Sequence, residues 1–242
     1  MILRSRLARL FSCLLIAVLI GALAPAPAAA QTTETYDVSG FSKLDIGVRG
    51  TVSLSQGDTE SLTITGPEDV VSDIEVEVIN GRLTVDYGPK NWIEQFFSGE
   101  EDAVEVEVSM STVEEVMVSG GSEIIGATPI EADNLRVGVS GAGEIDLQIS
   151  ANRLRSEISG AGEMNLEGSA DTHDIDISGA GTVRAADLET SSSSIRVSGA
   201  GECEVYATSD LDVDVSGAGT VRYRGEPTIS QSVSGAASVK AL

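Results

Sequence analysis

From Leu44 to the end of the chain, apolar and polar residues alternate in short runs, a period of two that predicts strands with one buried face. In the second half the alternation is punctuated by a tetrapeptide. It reads SGGS at Ser119, SGAG at Ser140, Ser159, Ser178, Ser198 and Ser216, and SGAA at Ser234, at intervals of 21, 19, 19, 20, 18 and 18 residues. The residue before each serine is β-branched: Val118, Val139, Ile158, Ile177, Val197, Val215 and Val233. Five positions after it come Ile124, Ile145, Met164, Val183, Cys203, Val221 and Val239. Two further on lie Leu147, Leu166, Ala185, Val205 and Tyr223.

Each unit therefore reads strand, glycine corner, strand, loop. One unit cannot bury its apolar face alone, whereas stacked units form a continuous core. This predicts an all-β fold, a β-helix (β-solenoid) with 18–21-residue coils whose rungs stand about 4.8 Å apart. The outward columns agree. Six positions after the serine, Glu204 falls between Arg184 and Arg222; two before it, Arg196 falls between Asp176 and Asp214. Opposite charges on adjacent rungs attract by a few tenths of a kcal/mol (order of magnitude). Glu157 beside Asp176 breaks that pattern.

Residues 31–118 lack the tetrapeptide but keep the alternation, in Leu44, Ile46 and Val48, then Val52 and Leu54, then Leu62 and Ile64. Asn80-Gly81 between EVEVI and LTVDY predicts a hairpin turn. This region is expected to form irregular N-terminal coils or a cap on the repeat coils of 119–242, within one domain over 31–242.

The alternating lead followed by repeated S-G-A-G-[ET]-[IVM] units resembles the putative auto-transporter adhesin head GIN domain family, exported bacterial domains of unknown function, over essentially all of 36–242. The resemblance implies a single right-handed parallel β-helix and brings no catalytic residues. No translocator barrel is expected after the repeats.

Residues 1–30 change the picture of where the chain resides. Arg4, Arg6 and Arg9 precede an apolar run from Leu10 to Leu23, and Ala28-Ala29-Ala30 follow, which reads as a cleaved secretory signal peptide. An exported protein of the bacterial periplasm or cell surface is expected, with no membrane-spanning segment after cleavage. Residues 31–242 hold 12 basic and 38 acidic residues, a net charge of −26 with His neutral. So acidic a surface repels nucleic acid and favours cations or basic partners, besides keeping a β-rich protein soluble. Cys203 alone remains in this part, so no intramolecular disulfide forms.

The candidate chemistry is sparse. His173 is the sole histidine and shares a column with Leu135, Leu154 and Leu211, which predicts a satisfied, partly buried residue at a strand end. Cys203 sits in an inward column as a small hydrophobe. No metal site, cofactor site or phosphate loop is expected. One acidic patch stands out: Asp174 and Asp176, then Arg196, then Asp212 and Asp214 on successive coils. Asp176 and Asp214 stand about 9–10 Å apart at the backbone, and carboxylates about 6.5–9.5 Å apart suit inverting glycoside hydrolysis, but Arg196 between them opposes the raised pKa a general acid needs. A second candidate is aromatic. Trp92, Ile93, Phe96 and Phe97 fall on one face of a short helix, either a flap or a partner site. The expected function is a non-catalytic envelope or surface module that binds a glycan or an envelope protein. A purely structural component and a polysaccharide-degrading enzyme are the alternatives.

Overall fold

The computed structural model describes residues 31–88 and 103–242. Strands make up 76% of it and helix 2%, and the strands coil into a β-solenoid of about 7 turns whose coils repeat about every 19 residues. The repeat region begins with β8 (Glu115–Gly120) and β9 (Glu123–Gly126). It continues through long bent strands: β10 (Ile130–Gly141), β11 (Glu144–Gly160), β12 (Glu163–Gly179), β13 (Thr182–Gly199) and β14 (Glu202–Gly217). It ends in β15 (Thr220–Arg224), β16 (Thr228–Gly235) and β17 (Ser238–Ala241). All these strands pair in parallel with the next coil.

The register is the one the repeat implies. Val118, Val139, Ile158, Ile177, Val197, Val215 and Val233 stand on successive rungs, as do Ile124, Ile145, Met164, Val183, Cys203, Val221 and Val239. On every rung except the last these residues are buried. Burying each such side chain contributes about 1.5–3 kcal/mol before chain entropy is counted.

The tetrapeptide makes the corner. At Gly160 the backbone sits at φ +130°, and a Cβ there would lie 2.4 Å from the Gly141 carbonyl oxygen of the coil below. Only glycine fits. That close approach keeps the ladder bonded around the bend: Ala161 N–H donates to Gly141 O at 2.8 Å, and Ala180 N–H to Gly160 O at 2.8 Å. At the last glycine of the unit the constraint comes from inside, since a Cβ on Gly162 would meet Val139 Cγ1 at 2.4 Å.

Residues 31–118 continue the stack and also close its end. β2 (Lys43–Ile46) lies between β6 (Arg82–Tyr87) and β8; β3 (Gly50–Gln56) lies between β7 (Val104–Met110) and β9; all these pairs are parallel. The first coil is thus sandwiched by later ones, so axial order departs from chain order. Beyond it the pairing turns antiparallel. β5 (Ile74–Ile79) covers β6, while β4 (Ser61–Pro67), preceding the short α1 (Glu68–Val71), covers β7, and β1 (Gln31–Tyr36) covers β4. The β5–β6 turn is Asn80-Gly81 with φ of 52° and 76°, the two positive values a two-residue type I′ hairpin requires.

Candidate functional site

The two outward columns of the acidic patch stand where the repeat places them. Asp174, Ser194 and Asp212 are successive rung partners, and so are Asp176, Arg196 and Asp214. Asp174, Arg196, Asp212 and Asp214 are exposed, and Asp176 is half-buried. The patch continues an ion-pair ladder that climbs from the other end of the same face. Arg82 meets Asp45 at 3.6 Å and Glu115 at 2.6 Å; Arg136 meets Glu115 at 3.8 Å and Glu157 at 2.5 Å; Arg155 meets Glu157 in turn. Burial pushes the Glu157 carboxyl up, but hydrogen bonds from Arg136 and Arg155 outweigh it and hold the carboxyl below its usual value. Arg155 is raised by the same Glu157 bond and, more weakly, by the charges of Asp176 and Asp174. The apparent break in charge alternation at Glu157 is therefore compensated by arginines of the neighbouring column.

On the opposite side of the corner the arginines reach diagonally. Arg222 donates to Glu204 at 3.0 Å and also to Glu202, whereas Arg184 pairs with Glu163. Arg184 also donates to Asn165 at 3.3 Å. The column alone identified Glu204 as a neighbour of both arginines; Arg222 takes it, and Arg184 turns instead to Glu163 on the coil on its other side.

A groove that the sequence did not reveal runs along the solenoid at a second bend. The parallel register passes from Ala132, Ala151, Ala170 to Asn134, Arg153, Thr172 and skips the residues between. Those skipped residues, Asp133, Asn152 and Asp171, form one wall of a groove of about 710 Å³. Its floor is the alanine column, and Ser150, Ser169 and Glu189 belong to the other wall, with Glu131 at one end and Thr208 at the other. Asn152 donates to Asp133 at 2.5 Å. The five coils from Glu131 to Thr208 give a length of about 19 Å at the rung spacing. The signal was the recurrence of Ala and of Asp or Asn once per coil, legible only after the register is known.

His173 differs from the expectation. It is buried in full, not partly, and only one nitrogen is satisfied: Nε2 lies 2.8 Å from Ser156 Oγ, while Nδ1 has no partner. Burial pushes its pKa down to about 3. Its rung neighbour Ser193 bonds to Thr190 at 2.8 Å instead. Polar side chains thus stand at four buried positions, Ser156, His173, Thr190 and Ser193, because each points inward by strand parity whatever its chemistry. Cys203 is buried and free, and burial pushes its thiol up.

Trp92, Ile93, Phe96 and Phe97 lie outside the described residues. Among the described residues no group of three or more His, Cys, Asp or Glu side chains is placed to hold a metal ion, and no helix is long and apolar enough to cross a membrane.

A parallel solenoid of Ser-Gly-Ala-Gly coils with an acidic, groove-bearing surface defines the class. Residues 40–227 match the family described as "Putative auto-transporter adhesin, head GIN domain", and the chain belongs to it. A solved structure titled a putative adhesin, from Bacteroides fragilis NCTC 9343, is 26% identical with a TM-score of 0.81, over 89% of this chain and 99% of that one. Two structures from Parabacteroides distasonis ATCC 8503 share the fold. One, described as a putative lipid binding protein, is 21% identical (TM-score 0.70, 88% and 96% of the two chains). The other, described as a putative adhesin, is 20% identical (TM-score 0.69, 88% and 98%). No curated protein matches the sequence significantly.

Proposed function

We propose that this chain is a non-catalytic exported module of the bacterial envelope or surface, and that it binds a linear glycan in the Asp133–Asn152–Asp171 groove. The groove carries the reading. It is about 19 Å long, floored by Ala132, Ala151, Ala170 and Thr190, and walled by carboxylate, amide and hydroxyl groups. Such walls accept and donate hydrogen bonds to sugar hydroxyls, and their negative charge favours neutral or amine-bearing polymers over acidic ones. Family membership in an adhesin-type group supports an exported binding role, as does the signal-like sequence of residues 1–30.

Hydrolysis is disfavoured by two observations. Arg196 separates Asp176 from Asp214 on the rungs, and a cation so placed lowers the carboxylate pKa that a general acid needs raised. The aspartate columns also lie away from the groove, which they do not line.

The test is size-exclusion chromatography of the protein with neutral and amine-bearing polysaccharides, following protein and polymer together, beside an Ala151→Trp variant that fills the groove floor. Co-elution of unshortened polymer, lost in the variant, is the expected result. Shortened polymer would sink the non-catalytic reading, and absence of co-elution would sink the glycan.

A further inference from the structure

The two ends of the solenoid are finished differently. At the amino end the edge strands carry charges, Glu34 on β1 and Glu75 and Glu77 on β5, and these strands cover the coils beneath them. Charged edges resist pairing with another chain. At the other end, β16 pairs with β14 on one side and with no strand on the other among the described residues. Its sequence, Thr-Ile-Ser-Gln-Ser-Val-Ser-Gly, holds no charge and no proline, in a chain whose net charge is −23.

The core is open there as well. Ile229 and Val233 are 39% and 44% exposed, whereas Leu211 and Val215, their partners one rung below, are 1% and 0% exposed. Gln231 takes the inward column that Ile175, Ile195 and Val213 fill on the rungs beneath.

We infer that a second copy of this chain covers this end, pairing β16 antiparallel with its own counterpart about a two-fold axis through Gln231. A two-fold axis normal to a strand makes the pairing antiparallel and brings one patch against itself. With Gln231 on the axis, Ile229 stands opposite Val233 of the second copy and Gln231 opposite its own equivalent, on the inward face. On the outward face Thr228 meets Ser234 of the second copy, and Ser230 meets its Ser232. Every apolar residue of the strand thereby finds an apolar partner, and every outward residue finds a hydroxyl. Moving the axis by one residue sets Gln231 opposite Ile229 or Val233 instead.

The charge distribution favours a copy over a basic partner, because the edge itself offers no charge to recognise. Glu226 flanks the strand two residues before Thr228; the like charges directly behind it, Asp210, Asp212 and Asp214, sit one rung back. Across the joint they stand about three rungs, roughly 14 Å, from their equivalents, beyond the Debye length at physiological salt. The dimer should therefore tighten as salt screens the remaining repulsion between two acidic chains.

Sedimentation equilibrium of the full exported chain tests this, at about 0.05 M and about 0.5 M salt. A monomer–dimer equilibrium that shifts toward dimer with salt is expected. Ile229→Lys alone, or Val233→Glu alone, should weaken the dimer at least about tenfold, because each buries a charge against an apolar partner. The double variant Ile229→Lys, Val233→Glu should recover it to within about threefold, since the new lysine of one copy then faces the new glutamate of the other. Both sites are exposed on the single chain, and circular dichroism and melting verify that each variant folds. A wild-type chain that stays monomeric, or that polymerises without limit, overturns the inference. So do single variants that dimerise like wild type, or a double variant no better than either single.

Discussion

His173 Nε2 lies 2.8 Å from Ser156 Oγ inside the solenoid, and the other ring nitrogen, Nδ1, faces the core with nothing to bond. The same column holds Leu154 one rung below and, past Ser193, Leu211 two rungs above. A buried polar atom without a partner costs about 1–3 kcal/mol. Replacing both members of the pair, Ser156→Ala with His173→Leu, should therefore stabilise the fold by about 1–3 kcal/mol, read as a higher urea midpoint. A lower midpoint would mean that the pair is needed to fill the space.

The same histidine makes stability depend on pH. Its folded pKa is pushed down to about 3, whereas in the unfolded chain it titrates near 6.5. Below about pH 6.5 the unfolded chain takes up a proton that the folded chain refuses until near pH 3. Stability falls as pH drops through that window, by up to about 1.4 kcal/mol per pH unit. Melting curves of wild type and His173→Leu should diverge progressively from pH 7 to pH 4. Parallel curves would show that the imidazole is hydrated in the folded state.

Gly160→Ala should be far more damaging than its size suggests. The added Cβ would stand 2.4 Å from the Gly141 carbonyl oxygen, at a positive φ that L-residues avoid. Strain at such a position costs about 1–3 kcal/mol before any clash, and the corner ladder must open to relieve it. The exposed neighbour Ala161 is the control, because Ala161→Ser should leave the melting midpoint unchanged within about a degree.

Cys203 should label with a thiol reagent only as fast as the protein opens. Its side chain is buried between Val183 and Val221 on adjacent rungs, and burial keeps the thiol protonated. Labelling measured over a urea series should follow the unfolding transition. Rapid labelling in native buffer would show that the coil at Cys203 opens locally.

The glycine-corner repeat was legible because period and spacing are local. Val118 to Val215 share a column because parity and repeat length admit one in-phase stacking, and Asn80-Gly81 makes its turn from two positive φ values. The acidic patch followed from the same arithmetic, so Asp174, Asp176, Arg196, Asp212 and Asp214 sit as the columns require. The groove was hidden because its wall is made of the residues that the register skips, and no residue pattern along one coil reveals a concavity between several.

By itself the sequence determined the strand parity, the corner, the rung register of the repeats and the acidity of the surface, all set by neighbours within about one coil. Tertiary structure decided the rest. It seated β2 and β3 between later coils, matched Arg184 to Glu163 in place of Glu204, sealed His173 inside with one nitrogen unsatisfied and left β16 as an uncharged open edge. These outcomes depend on which rung lies on which and how far each side chain reaches across it, and such contacts join residues remote along the chain.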